Sequence, residues 1–180
     1  MQEGNCDVQR VCGRRIGDNR GRSGRWLHRA AKRPYPDQRR CQAPGWVETW
    51  AANTSLEATL AREAPKGPNP VAMLDENLIT GIDLYGQHCA ICHGTAKGEA
   101  SASPVAKGEY PPPPQLATDG VEDDPEGYSF WMIKHGIRWT GMPSWKGSLT
   151  DQQIWTLALF LKHMDKLPPA AEGVWQQVKN

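Results

Sequence analysis

The sequence contains no run of about 18 apolar residues, the length that a membrane-spanning helix requires. Its first 45 residues include only four aliphatic Val, Ile or Leu side chains, too few for the apolar region of a secretion signal. Apolar residues make up 38% of the 180, whereas 15 prolines and 18 glycines predict a large share of loop. One domain with tails, and no membrane span in the chain as written, is therefore expected.

Charge divides the chain into two unlike parts. Residues 1–45 carry eleven Lys or Arg and four Asp or Glu, whereas the remaining residues carry ten and sixteen. The basic part has no helical or strand periodicity and is predicted to be disordered. Residues 46–74 are predicted to form a short helix and a Pro-rich strap, residues 75–168 the main domain, and residues 169–180 a loosely attached tail on which Trp175 could dock.

Apolar residues at helical spacing predict an all-α main domain of three to five helices. One helix begins near Asp75, a plausible N-cap, and runs into Cys89. A later helix ends at Gly136, and the clearest one starts at Thr150, with Gln153 completing a capping box. Between the first two lies a stretch of about thirty residues with four consecutive prolines, which no helix can include. We expect this stretch to be a long loop.

The string Cys-Ala-Ile-Cys-His at positions 89–93 is the attachment motif of a c-type haem. One helical turn presents both thiols to the same side, where they can form thioethers with the porphyrin vinyl groups, and His93 then lies under the iron. A zinc site would need a second cysteine pair, and the other three cysteines have no matching spacing. A thioredoxin-like redox pair would need a preceding strand. We therefore predict one haem c, attached through Cys89 and Cys92.

An iron bound by His93 either has a sixth ligand, as in an electron carrier, or an open position, as in a haem enzyme or gas sensor. Met142 is the favoured sixth ligand, because a thioether held in the irregular segment Gly-Met-Pro can point at a metal. His135 is the alternative. The remaining candidates are Met73, Met132, Met164, His88 and His163. Met132 and Met164 fall among apolar helical neighbours where Met usually fills the core, His88 is too close to the motif, and His163 lies near a helix end.

Two segments of the chain resemble class I cytochromes c. The run Gly81–Gly94 is similar to the opening helix of that family, and Ile133–Arg138 followed by Gly141–Trp145 looks like its axial-methionine region. The likeness is closest to bacterial mono-haem subunits of oxidases and dehydrogenases. With the final helix, Asp151–Met164, it covers roughly residues 70–168. The implied fold has its helices and long loops wrapped around one covalently bound haem.

The resemblance implies several contacts. Gly81 would meet Phe160 where the first and last helices cross, with Tyr85 one turn along from Gly81. The carbonyl of Pro114, in the sequence Pro-Gln-Leu, would accept the ring proton of His93 and so fix its tautomer. The side chains that could donate to the haem propionates, or could equally be surface or packing residues, are Tyr110, Arg138 and Trp139.

The predicted function is electron transfer rather than catalysis. The chain would carry single electrons on one His/Met-ligated haem in a bacterial respiratory or periplasmic dehydrogenase chain. Its partners would be an oxidase, a quinol-oxidising complex or a dehydrogenase, and it could be a free carrier or a relay subunit of a large complex. Nucleic-acid binding is not expected, because the basic segment has neither a folded scaffold nor interleaved aromatic residues.

Covalent haem attachment places the domain in the periplasm or on the outer face of a bacterial membrane, yet no export signal is visible in the sequence. A wrongly assigned start or reading frame, a genuine disordered arm, or a lost signal would each account for the basic residues 1–45. We favour the first explanation. A native N-terminal sequence that began at Met1 would contradict it.

Overall fold

The computed structural model describes residues 45–97 and 103–179. Within these ranges it contains eight α-helices and no strand, which confirms the prediction of an all-α fold; six of the helices lie within residues 75–168, where three to five were expected. The predicted disordered segment, apart from Gly45, lies outside the described residues. The helices are α1 (Trp46–Glu63), α2 (Asp75–His88), α3 (Ala90–His93), α4 (Pro104–Gly108), α5 (Leu116–Asp119), α6 (Glu126–His135), α7 (Asp151–Lys162) and α8 (Pro169–Trp175).

The four longest helices, α1, α2, α6 and α7, lie where the sequence pattern predicts them. Asp75 is the first residue of α2 rather than its N-cap, so that prediction is wrong: Leu74 is the N-cap, and its apolar side chain forms no capping bond. Helix α7 has the expected capping box, in which Thr150 Oγ1 accepts from the Gln153 backbone N–H at 3.3 Å and the Gln153 side chain accepts from the Thr150 N–H at 2.9 Å. The long loop includes two short helices, α4 and α5, that the pattern does not reveal.

Helices α2 and α7 cross at Gly81, where there is no room for a side chain. A Cβ on Gly81 would lie 2.7 Å from both Phe160 Cβ and the Thr156 carbonyl oxygen. Beside the crossing, the rings of Tyr85 and Phe160 meet edge to face with centroids 5.5 Å apart. The close approach implied by the family resemblance is therefore present.

The C-terminal segment is firmly packed, so its predicted loose attachment is wrong. Helix α8 brings Trp175 against Tyr85 and Phe160, with ring centroids 5.3 and 5.1 Å away, and Trp175 is only 3% exposed. Pro168 is the N-cap and Pro169 starts the helix, because proline is well suited to the first helical position. The docking of Trp175 that the sequence suggested is confirmed.

The Pro-rich strap between α1 and α2 is bound to the helices behind it through Asn69. The Asn69 amide donates to Glu126 Oε1 at 2.8 Å and to the Trp155 carbonyl at 3.0 Å, and its oxygen accepts from the Val71 N–H at 2.9 Å. Asn69 therefore joins the strap to α6 and α7, two helices that also line the cavity beside the cysteine motif.

No helix in the described part of the chain combines the length and the apolar character needed to cross a lipid bilayer.

Candidate haem site

The cysteine motif lies on a short helical turn directly after α2. Cys89 ends α2, with its N–H bonded to the Tyr85 carbonyl at 2.8 Å, and the backbone N–H groups of Cys92 and His93 donate back to the Cys89 carbonyl at 3.0 and 2.9 Å. Gly94 follows with a positive φ of 79°, which turns the chain away. The turn holds the two thiols and the imidazole against one cavity.

That cavity lies between α2, the proline run, α6 and α7 and has an empty volume of about 1050 Å³, its open mouth included. Its wall is largely apolar and includes aliphatic side chains from α6 and α7 as well as the four consecutive prolines. An apolar wall of this kind limits solvent access to a bound group and so influences its redox potential. Its members that carry ligand chemistry are Cys89, Cys92, His93, His88, Met132 and Met142.

The proximal histidine has a defined orientation. Nδ1 of His93 lies 2.9 Å from the carbonyl oxygen of Pro114, twenty-one residues away. Because a carbonyl can only accept, Nδ1 must carry the proton in this bond, and Nε2 is left with its lone pair free for a metal. The bond is the one that the resemblance implies for the Pro-Gln-Leu sequence.

Met142 is half-buried and lines the cavity together with His93. Its backbone is held on both sides: the Met142 N–H donates to Thr140 Oγ1 at 3.1 Å, and its carbonyl accepts from the Ile137 N–H at 3.3 Å. Further along the loop, the Trp145 N–H donates to the Ile133 carbonyl at 3.1 Å and closes the loop onto α6. The Met142 thioether is thus presented to the cavity from an anchored loop.

Gly136 makes this loop possible. It ends α6 with a φ of 70°, and a Cβ there would lie 2.8 Å from backbone atoms of Met142, Pro143 and Ser144. A side chain would therefore be strained by the backbone conformation and would also displace the loop. The sequence signal of a helix stop at Gly136 is correct, and the close approach adds a second reason for glycine.

Two of the other candidate ligands, Met132 and His88, line the cavity, whereas His135, Met164 and His163 do not. His135, the alternative to Met142, is exposed, does not line the cavity and packs against the Trp131 ring with centroids 4.8 Å apart. Met132 lines the cavity and is half-buried, so it is not the simple core filler that its helical position suggested. His88 also reaches the wall, where it packs against the ring of Trp145 at 5.0 Å. Met164 belongs to the buried core and His163 caps α7.

Burial affects the titration of the two thiols. It raises the pKa of Cys89 to about 12, with the neighbouring Cys92 adding to the effect. The pKa of Cys92 is raised to about 11. Burial is the largest cause, followed by the hydrogen bond to Glu109 and the negative charge of that residue. Both groups are therefore thiols at neutral pH in the chain without haem, and each bears the S–H that adds across a vinyl group when a thioether forms.

The suggested propionate donors do not line the cavity. Arg138 and Trp139 are exposed, and Trp139 is 95% exposed with a φ of 65°. The hydroxyl of the half-buried Tyr110 lies 3.4 Å from Glu48 Oε2 on α1. Three polar residues of the wall were not identified from the sequence: Ser129, Thr140 and Glu109, of which Glu109 has its carboxylate 3.3 Å from Cys92 Sγ. No motif or spacing around Glu109 could have revealed it.

The residues around the cavity are suited to a haem. Two thiols on one turn, an imidazole whose Nε2 is free and a thioether on a separate loop all line a single apolar space. Soft sulfur and neutral imidazole are the ligands that haem iron takes in c-type proteins.

A family model for cytochrome C oxidase, cbb3-type, subunit III, matches residues 76–161. No curated protein matches the chain. The matched range runs from the first turn of α2 to the end of α7 and includes every described residue that lines the cavity. The predictions of a haem-bearing, class I type domain and of covalently bound haem c are confirmed by this match. The chain thus contains, at residues 76–161, a c-type cytochrome domain like those of the class I cytochromes c, with haem c as its cofactor.

Proposed function

We propose that this protein is an electron carrier, or an electron-transfer subunit, that holds one haem c through Cys89 and Cys92 with His93 and Met142 as axial ligands. The main observation in favour is that His93 and Met142 come from separate segments, the motif turn and the α6–α7 loop, and line the same cavity. When bound, the haem iron supplies a one-electron ferric/ferrous couple. An iron with both axial positions filled passes electrons and binds no substrate.

The surrounding residues have distinct parts in this proposal. The Pro114 carbonyl orients the His93 ring and increases its basicity by accepting the Nδ1 proton. The loop bonds of Met142 fix the backbone from which its sulfur would reach the iron. The apolar wall keeps water away, and methionine ligation together with low polarity favours a higher potential than two histidines would.

The ligand assignment is tested on the haem-loaded protein by absorption spectroscopy. We expect the weak near-red band of ferric iron bonded to methionine sulfur, and a protein mass increased by one haem. A high-spin spectrum without that band would contradict the carrier proposal and support an open site, as in a haem enzyme or gas sensor.

The two attachment points are tested separately. Cys89→Ser and Cys92→Ser should each leave one vinyl group unreacted and so shift the absorption of the reduced haem in denaturant, because each removes one thioether, and the double variant should release the haem. Ser55→Ala is the control, since Ser55 is exposed on α1 and does not line the cavity. Covalent retention of haem in the double variant would contradict attachment through this pair.

For the biological setting, we propose a bacterial respiratory or periplasmic dehydrogenase chain, with the domain on the outer face of the membrane. The description of the matching family names an oxidase subunit, so an oxidase is one candidate partner beside a quinol-oxidising complex and a dehydrogenase. Size-exclusion chromatography of native material separates the possibilities. Elution at or below the 20.0 kDa of the 180-residue chain indicates a free carrier, and co-elution with a large complex indicates a relay subunit.

The division of the chain is part of the proposal. Residues 75–168 are the cytochrome domain, residues 46–74 are a helix and strap, and residues 169–180 are the C-terminal segment. The strap and the C-terminal helix both pack on the domain, so we expect a chain that begins at residue 46 to retain haem.

A further inference from the structure

One residue in the cavity wall has chemistry that haem attachment and ligation do not use. Glu109 is the C-cap of α4, is half-buried, and lines the cavity. Among the described residues of the wall it is the only one with a carboxylate, and none of them is Lys or Arg. A single charged group in an otherwise apolar wall must act on whatever occupies the cavity.

The Glu109 carboxylate lies between the two parts of the site. On one side its Oε1 is 3.3 Å from Cys92 Sγ, in the motif turn. On the other side it packs directly on Gly141, where a Cβ would lie 2.5 to 2.9 Å from the three carboxylate atoms. The absence of a side chain at Gly141 is therefore what admits the carboxylate, one residue before Met142.

Glu109 takes part in none of the ion pairs found in the described part of the chain. Once Cys92 is a thioether, its sulfur has no proton to donate. The carboxylate would then face a haem held at Cys92 without the hydrogen bond that the thiol donates to it in the chain without haem.

We propose that Glu109 sets the reduction potential of the haem, by placing a fixed negative charge against the Cys92 edge of the cavity. The inference rests on the proposed function, since it requires haem c attached at Cys92. Reduction adds one electron to the iron and lowers the charge of the haem by one unit. A nearby negative charge therefore stabilises the oxidised form and lowers the potential.

The size of the effect follows from Coulomb's law. At an effective dielectric constant of about 20, two unit charges about 10 Å apart interact strongly enough to change an equilibrium roughly tenfold. For a one-electron couple, a tenfold change corresponds to about 59 mV. We therefore expect Glu109→Gln, which removes the charge and keeps the shape, to raise the midpoint potential by about 59 mV.

The experiment is a redox titration of the haem-loaded full chain at neutral pH. Glu122→Gln is the matched control, because Glu122 is also half-buried but does not line the cavity. Glu122→Gln should change the midpoint potential by much less than Glu109→Gln does. Glu109→Asp keeps the charge, so its midpoint potential should be closer to that of the unsubstituted protein than the midpoint potential of Glu109→Gln is. If the Gln variant does not take up haem, Glu109→Ser removes the same charge with less bulk.

Absorption spectra separate this inference from the proposed function. If the iron–methionine band persists and the potential of the Gln variant is unchanged, or shifts no more than that of Glu122→Gln, the role of Glu109 is refuted and the carrier proposal stands. If the unsubstituted protein itself lacks the band, the ligand assignment fails first. A raised potential with the band intact supports both.

Discussion

Gly136 lies directly against the backbone of Met142, close enough that a Cβ on Gly136 would be 2.8 Å from the Met142 carbonyl oxygen. The end of α6 and the proposed axial ligand are therefore one structural unit. The helix stop determines where the loop crosses the cavity, and the loop determines where the thioether is held.

Gly136→Ala should break this unit. The substitution places a Cβ in a left-handed backbone conformation and against three backbone atoms of the loop, at a cost of about 1 to 3 kcal/mol. We expect a lower melting temperature and a weakened iron–methionine band. Gly147→Ala, in the same segment but with open space around it, should leave both nearly unchanged. A normal band in Gly136→Ala would mean that the loop is not tied to the helix end.

Met142→Ala should open the sixth position of the iron. The midpoint potential should fall, carbon monoxide should bind to the reduced protein, and the near-red band should disappear. Met132→Ala and His135→Ala are the informative comparisons, since Met132 shares the cavity and His135 was the other candidate ligand. Loss of the band in Met132→Ala alone would transfer the ligand role to Met132.

Gly81→Ala tests the crossing of α2 and α7. A methyl group 2.7 Å from Phe160 Cβ and the Thr156 carbonyl would force the helices apart, and overpacking of this kind costs about 1 to 3 kcal/mol. Thermal unfolding of the haem-loaded protein should show this loss of stability as a lower melting temperature. Gly173→Ala is the matched helical control, because nothing lies within 4 Å of that position. It should be neutral or slightly stabilising. Equal effects of the two substitutions would refute a close crossing.

The acidic balance of residues 46–180 predicts salt-sensitive encounters with cationic partners. These residues carry sixteen acids against ten Lys or Arg, and haem propionates would add to the negative charge. In a chain that begins at residue 46, reduction by a small cationic reagent should slow as ionic strength rises, whereas reduction by an anionic reagent should accelerate. The full chain, with eleven further basic residues, should show a smaller dependence. Rates indifferent to salt in the shortened chain would contradict the docking argument.

Much of the fold could be predicted from sequence patterns that involve only neighbouring residues. The apolar spacing of α7 and its capping box at Thr150 and Gln153 involve residues three or four apart. Such residues are neighbours on a helix, so their contacts can be predicted from the sequence. The haem motif is local in the same way. Helix α8 was missed because a seven-residue segment that begins with proline has little periodicity, and its stability comes from Trp175 packing on Tyr85 and Phe160.

By itself, the sequence determined the all-α fold, through apolar residues at helical spacing, and the haem, because the spacing of Cys89, Cys92 and His93 within one helical turn leaves few other chemistries open. Tertiary structure alone decided what surrounds that motif. The Pro114 carbonyl reaches His93 across twenty-one residues, and Glu109 meets both Cys92 and Gly141. Such contacts depend on the path of a loop that has no periodicity of its own, so no local pattern could predict them.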